Sequence, residues 1–231
     1  ESFDTTVSKF AFSTARDPYQ TKMNNSAVNI GLENILDKQK TIFVKYAEAF
    51  RTPDLDARNS TCANAYSACS NTGTHFFLRD QTSDEIELGL RFNNGKFSAV
   101  SSIYEMNTLN EIRYVPYANN TNLDPIKRKG LNIDFKYDLN EQMKMNGSFS
   151  YIDAHFTSGS LSRGMFSGTY TSNTTTATER MDSSRNNSDG TYNIAGLKVP
   201  LVAEYTYDII VNYLLAEKAN IKLIMSFVDD L

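Results

Sequence analysis

Cys62 and Cys69 are separated by Ala63-Asn64-Ala65-Tyr66-Ser67-Ala68, inside a polar stretch of the chain. If that stretch faces an oxidising space, a disulfide between them would staple it, and this pairing is expected. Two free thiols or a metal pair are the alternatives, although His75 stands alone nearby and gives no zinc-ligand spacing. His75 and His155 each sit beside a strand end and are read as ordinary loop or rim histidines. Glu85 and Glu87 lie two apart, which puts two carboxylates on one face of a strand, a geometry open to acid–base chemistry. The same spacing suits a polar wall, and that is the preferred reading. Arg51 and Arg58 flank Pro53, Asp54 and Asp56; guanidinium forks there could grip an anionic ligand bidentately or pair with the neighbouring aspartates. Tyr66, Tyr170 and Tyr192, with Phe76, Phe77 and Phe166, offer either an amphipathic ligand platform or loop-to-loop packing. No glycine-rich phosphate cradle, Ser-His-Asp spacing or nucleophilic Cys-His pair is present. The expectation is a protein that is not an enzyme, with no catalytic residues, no resident metal and no cofactor.

The elements that position these residues follow from composition and period. Over 231 residues the chain is 40% hydrophobic and 12% aromatic, enough to order a β-rich domain. A net charge of -4 and the absence of a Lys/Arg run argue against nucleic acid as a partner. No stretch approaches the ~18 apolar residues of a spanning helix. Two-residue alternation, in contrast, recurs in segments of about ten residues, the length of a tilted membrane strand. Tyr205, Tyr207, Ile209, Val211 and Tyr213 face one way, and Thr206, Asp208, Ile210, Asn212 and Leu214 the other. Ile86, Leu88, Leu90 and Phe92 oppose Glu85, Glu87, Gly89 and Arg91. Met143–Tyr151 and Leu131–Tyr137 repeat the division.

Alternation alone also fits a β-sandwich. Connection length separates the two architectures. Tight turns at Leu36–Gln39, Asn93–Lys96, Leu139–Glu141 and Ala216–Ala219 alternate with long polar connections at Arg51–Asp80, Tyr114–Asp124 and Ser158–Gly196. Short periplasmic turns at one rim and long extracellular loops at the other are the pattern of an outer-membrane barrel. The stretch Tyr170–Asn193 is poor in apolar residues and reads as a mobile gate over the entrance.

Strands are predicted at Val7–Ser13, Ala27–Leu36, Thr41–Phe50, Asp84–Phe92, Phe97–Ile112, Lys127–Asp138, Gln142–Phe156, Ala203–Leu215 and Asn220–Val228. That is about nine, whereas bacterial single-chain barrels hold an even number. Phe3 begins without a leader, and Asp229-Asp230-Leu231 follows a strand that is not an aromatic-ended closing strand. The chain is therefore expected to be all-β, an antiparallel transmembrane β-barrel in part.

Four motifs carry a family resemblance. Thr41–Phe50 running into Arg51-Thr52-Pro53-Asp54-Leu55 resembles the tyrosine-bearing strand ending in Phe-Arg-x-Pro-x-Leu of TonB-dependent receptors. Gln81-Thr82-Ser83 followed by Glu87-Leu88-Gly89-Leu90 is similar to the family's next strand. Arg128-Lys129-Gly130-Leu131-Asn132 resembles an Arg-x-Gly-hydrophobic-Glu start, with Asn132 where Glu is usual. Gly196–Val202 is similar to the Gly-x-x-Val-Pro stretch before the last strands, with Ala203 where a second proline is common.

The resemblance implies a barrel of roughly 22 strands, of which residues 1–231 are a portion, the plug domain and closing strands lying outside this chain. It implies a bacterial outer-membrane location among lipid. It also implies active import of a scarce nutrient, such as an iron–siderophore complex or cobalamin, energised by the TonB complex through the plug. Arg51, Arg58, Tyr66, Tyr170 and Tyr192 are the candidate ligand-binding residues. A passive porin and a soluble β-rich adhesin or binding module are the competing readings.

Overall fold

The computed structural model describes residues 2–7, 19–53, 78–115, 119–162, 185, 187–188, 191–216 and 219–229. Its elements are β1 (Ser2–Val7), β2 (Tyr19–Asn24), β3 (Asn29–Ile35), β4 (Lys40–Arg51), β5 (Gln81–Asn93), β6 (Phe97–Leu109), β7 (Ile112–Val115), β8 (Asn119–Asn122), β9 (Ile126–Asp138), β10 (Met143–Phe156), β11 (Ser160–Ser162), β12 (Thr191–Asn193), β13 (Tyr205–Ala216) and β14 (Ala219–Val228). Eight of them form one antiparallel sheet in the order β14-β13-β10-β9-β6-β5-β4-β3. Every neighbour in it follows the previous main strand along the chain, so the sheet is a simple meander. Three two-stranded ribbons, β1-β2, β7-β8 and β11-β12, complete the described elements.

Short turns fall on one rim, and three of them are built alike. An Asx side chain at the start of the turn accepts the backbone N–H groups two and three residues on, replacing ladder bonds that the reversing chain cannot make. Asp37 Oδ1 accepts from Gln39 N at 2.7 Å and Lys40 N at 2.9 Å. Asn94 Oδ1 accepts from Lys96 N at 3.1 Å and Phe97 N at 2.8 Å. Asn140 Oδ1 accepts from Gln142 N at 2.9 Å and Met143 N at 2.7 Å. Gly95 stands at φ 89° in the middle turn, a conformation that an L side chain would strain.

Cross-strand partners share a face, so the registers assemble two continuous surfaces. On the outer face Leu32 meets Val44, Val44 meets Leu88, and Leu88 meets Ile103. The row continues through Leu131, Tyr151 and Tyr205. A parallel row runs Ile133, Phe149, Tyr207 and Phe227. This face is apolar and open to the surroundings, with Leu32 74%, Ile86 55% and Leu223 55% exposed. Tyrosines stand at its edges: Tyr46, Tyr151 and Tyr205 toward the long connections, Tyr137 and Tyr213 toward the short turns. The inner face carries the alternate residues and is where Phe43, Ser102, Thr108, Ile126 and Ala154 are buried.

The alternating pattern thus corresponds to eight of the expected strands in one sheet. The first expected strand, Val7–Ser13, differs. Val7 instead ends β1, paired with Tyr19 of β2, and residues 8–18 lie outside the described part. Phe97–Ile112 also divides, because Asn110 takes a left-handed φ of 55° and turns the chain between β6 and β7; asparagine tolerates that conformation better than other residues with a Cβ.

Candidate functional site

At mid-height the inner face is a set of paired charges. Lys45 Nζ lies 3.6 Å from Glu85 Oε1 and 3.7 Å from Glu87 Oε2, so the two carboxylates share one ammonium. Arg91 is ion-paired with Glu33, and its guanidinium carbon stacks 4.4 Å from the centroid of the Phe43 ring. Phe43 lies across Gly89, where a Cβ would overlap its ring. Asp134 and Asp208 occupy the same inner side. Glu85 and Glu87 thus lie on the polar inner face, two carboxylates beside a single ammonium.

Toward the long connections the inner face forms a polar recess of about 320 Å³, lined by Arg51, Gln81, Ser83, Thr108, Glu111 and Arg128 among others. All but Glu111, which lies in the turn between β6 and β7, come from inward positions near a strand end. Arg128 pairs with Glu111 and donates from Nη1 to Thr108 Oγ1 at 3.1 Å. Glu111 also receives Arg113 Nη2 at 3.0 Å. Arg128 and Glu111 side chains are only 15% and 12% exposed, so this pair is fixed in a setting where charge-assisted bonds are strong. Arg51 is exposed in the same recess and has no carboxylate partner among the described residues. Among the described residues the recess thus brings together the paired Arg128 and Glu111, the exposed Arg51 and the neutral polar groups of Gln81, Ser83 and Thr108, beside Met106 and Ile112.

Beside the recess, the chain before β13 folds back onto β10. Gly196 N donates to Phe156 O at 2.7 Å, Phe156 N to Leu197 O at 3.0 Å, and Val199 N to Ala154 O at 2.9 Å. Residues 196–199 thus extend the ladder where β13 has not yet begun. Pro200 and Leu201, the latter at φ 59°, make the step between the two paired segments. Tyr192, Ile194 and Val199 close over Ile126, Ala154 and Phe156 in the larger buried apolar cluster among the described residues. Asp124 packs against Gly159 at this rim; burial raises its carboxyl above the ordinary range, and a bond from the Ser160 backbone opposes that shift.

Of the residues singled out from the sequence, Arg51 lies in the recess and Tyr192 is buried in the apolar cluster at 7% exposure. Arg58, Cys62, Tyr66, Cys69, His75 and Tyr170 fall outside the described residues. His155 Nδ1 bonds Asp153 Oδ1 at 2.8 Å at the rim. No group of three or more His, Cys, Asp or Glu is arranged to hold a metal among the described residues. The Arg128–Glu111–Arg113 group was not foreseen as a site. Its signal was Arg128 at an inward position at the start of β9, but Glu111 lies outside the alternation and is brought there only by the turn at Asn110.

A family model described as "TonB dependent receptor-like, beta-barrel" matches residues 1–219. No curated protein sequence matches. Among solved structures, the ferric yersiniabactin uptake receptor FyuA from Yersinia pestis superposes with a TM-score of 0.59 at 12% identity, covering 92% of this chain and 27% of that one. The copper transporter OprC gives 0.58 at 14% identity, over 93% and 28%. The alcaligin outer-membrane receptor FauA from Bordetella pertussis gives 0.56 at 11%, over 99% and 33%. At these identities the likeness is one of fold, and the chain spans between about a quarter and a third of each.

Proposed function

The chain belongs to the TonB-dependent receptor β-barrel family, and from that premise we propose that it forms part of the wall of a bacterial outer-membrane receptor importing a scarce nutrient, most simply a metal chelate. The plug and the closing strands belong to the rest of that protein, and TonB supplies the energy through the plug. The three similar structures are a ferric yersiniabactin uptake receptor, a copper transporter and an alcaligin outer-membrane receptor, which favours a metal chelate over cobalamin as the first ligand to test. The apolar outer face supports residence in lipid, where closure of the sheet must satisfy every backbone group.

The observation that carries the ligand reading is the recess of Arg51, Gln81, Ser83, Thr108, Glu111 and Arg128, on the inner face at the rim with the long connections. A ligand arriving from outside meets this rim first. The test is binding of ferric chelates of differing net charge to the intact receptor, with Arg51→Gln beside wild type. A hydrogen bond between Arg51 and an anionic chelate contributes about 1.5–3 kcal/mol, so the substitution weakens binding roughly 10- to 100-fold. Uptake in cells stops when TonB is deleted. Binding of no metal chelate, or uptake that continues without TonB, would overturn the proposal, the second result in favour of a passive pore.

A further inference from the structure

Among the described residues the buried side-chain atoms without a hydrogen-bond partner are all oxygens: Thr52 Oγ1, Asp80 Oδ1 and Asn146 Oδ1. Buried polar atoms left unpaired are rare in folded proteins, and an ion or a water is the usual reason for one. Asn146 lies mid-strand in β10. The other two meet at one place.

The β4-β5 ladder ends with Arg51 opposite Gln81. One further step of the same antiparallel register sets Thr52 opposite Asp80, on strand ends about 4.8 Å apart. The second carboxylate oxygen, Asp80 Oδ2, accepts from Asn25 Nδ2. Asn25 precedes β3, where Glu48 N donates to Val28 O at 2.7 Å and carries the β3-β4 pairing past the strand. Because β4 lies between β5 and β3 in the sheet, the Asp80–Asn25 bond reaches across the end of β4 and brings the carboxylate over the chain at Thr52. The backbone bearing it is held from the other side. Asn110 Nδ2 donates to Asp80 O at 3.3 Å, and Asn122 Oδ1 accepts from Arg79 N at 2.6 Å.

The charge at this rim favours a cation. Asn25 is neutral, so its amide leaves the Asp80 charge in place. Glu48 and Asp84, on the same two strands, are likewise bonded by neutral groups, Tyr46 Oη at 2.8 Å and Asn107 Nδ2 at 2.9 Å.

We propose that Asp80 Oδ1 and Thr52 Oγ1 hold a calcium ion at the base of the long connection between β4 and β5, in a site of one carboxylate and neutral oxygens completed by water and by the Asn25 amide. Calcium accepts oxygen ligands in flexible geometry, whereas magnesium demands a near-ideal octahedron, so donors from three separate chain segments suit calcium. With a single carboxylate the site is weak, in the range of about 0.1–1 mM seen in extracellular modules. The ion clasps the two ends of the connection. Since Thr52 follows Arg51, it also steadies the backbone that carries the exposed guanidinium of the recess. Nothing in the spacing of Thr52 and Asp80 along the chain announces the site, because only the β4-β5 register joins them.

The test uses the intact receptor in detergent, stripped of divalent cations with a chelator that is then removed, and calcium chloride alone as the probe. Titration calorimetry reads binding, and hydrogen exchange reads the strand ends. Wild type is expected to bind a calcium ion that Asp80→Asn weakens by roughly tenfold or more, since affinity follows ligand charge. Thr52→Val weakens it less, and Asp84→Asn, a carboxylate on the same strand, leaves it unchanged. Calcium slows exchange in residues 50–52 and 79–82 of wild type and not of Asp80→Asn. If Asp80→Asn does not assemble, Thr52→Val decides the same question. A wild type that binds no calcium, or binding that survives both substitutions undiminished, overturns the inference. Either result leaves the ligand reading of Arg51 standing, because no chelate enters the experiment.

Discussion

Leu88→Arg separates a lipid-facing sheet from a water-facing one by the size of its effect. Leu88 lies on the outer face at the middle of β5, between Val44 and Ile103, and is 46% exposed. On a soluble protein so exposed a site would change stability by no more than about 0.5 kcal/mol. In a bilayer the guanidinium sits near the midplane, where arginine on the lipid face of a barrel costs about 2–4 kcal/mol. That cost corresponds to a roughly 30- to 900-fold shift in the folding equilibrium. The next residue supplies the control. Glu87→Gln on the inner face removes one arm of the Lys45 pairing, at 3.7 Å with the lysine 38% exposed, so its cost stays below about 1 kcal/mol after solvent screening. The assay is guanidinium unfolding of the intact receptor reconstituted in phosphatidylcholine vesicles. A Leu88→Arg loss no greater than that of Glu87→Gln would refute the assignment of faces, because the argument requires adjacent residues to lie in different solvents.

Truncating Ile126, 1% exposed at the centre of the rim cluster, to alanine is expected to cost about 2–5 kcal/mol; hydrogen exchange should rise first in residues 192–199, which pack over it. Gly89→Ala places a Cβ into the Phe43 ring and 2.9 Å from Ser101 O, a destabilisation of about 1–3 kcal/mol, and a double-mutant cycle with Phe43→Ala should show the two changes to be strongly non-additive. Because burial raises the carboxyl of Asp124, the fold gains most from that group below the ordinary aspartate value of about 3.9 and loses the gain as pH rises through the raised one. The unfolding free energy of Asp124→Asn relative to wild type should therefore increase with pH across that window, and a flat difference would show that Asp124 is not the group responsible. Thiol titration of denatured, unreduced protein is expected to find no reactive cysteine, Cys62 and Cys69 being joined; two reactive thiols would dismiss the staple.

The faces of the main sheet were legible because a period of two is a property of the chain itself. Once Leu88 and Glu87 point apart, every cross-strand partner is sorted by register. The rim was less legible, because its geometry depends on departures from that period. Asn110 turns the chain so that Glu111 reaches Arg128. Gly196–Val199 pairs with the end of β10 although the alternation there gives no strand, and Pro200 then breaks the ladder before β13. The Val-Pro stretch was recognisable as a motif, but its role as a step between two paired segments was not. Of the candidate site residues, only Arg51 and Tyr192 fall among the described ones. Arg51 could be placed from the sequence at the end of its strand. The burial of Tyr192 could not, since it depends on contacts with Ile126 and Phe156, far from it in the chain.

A sheet with unlike solvents on its two faces makes register a functional quantity. Slippage of β5 by one residue against its neighbours would carry Glu85, Glu87 and Arg91 onto the lipid side and Leu88 into the polar interior, a change costing several kcal/mol for each charge exposed to hydrocarbon. The turns that pin the register sit at the opposite rim from the recess of Arg51 and Arg128. Asp37, Asn94 and Asn140 each fix two backbone N–H groups through a side chain, so the hairpins are set locally and the long connections carry none of that burden. The long-loop rim can therefore hold irregular devices, such as the turned Asn110, the left-handed Leu201 and the buried strap over Ile126, without disturbing the registers below. The same separation lets the rim residues Arg51, Glu111 and Arg128 change while the sheet beneath them keeps its two faces.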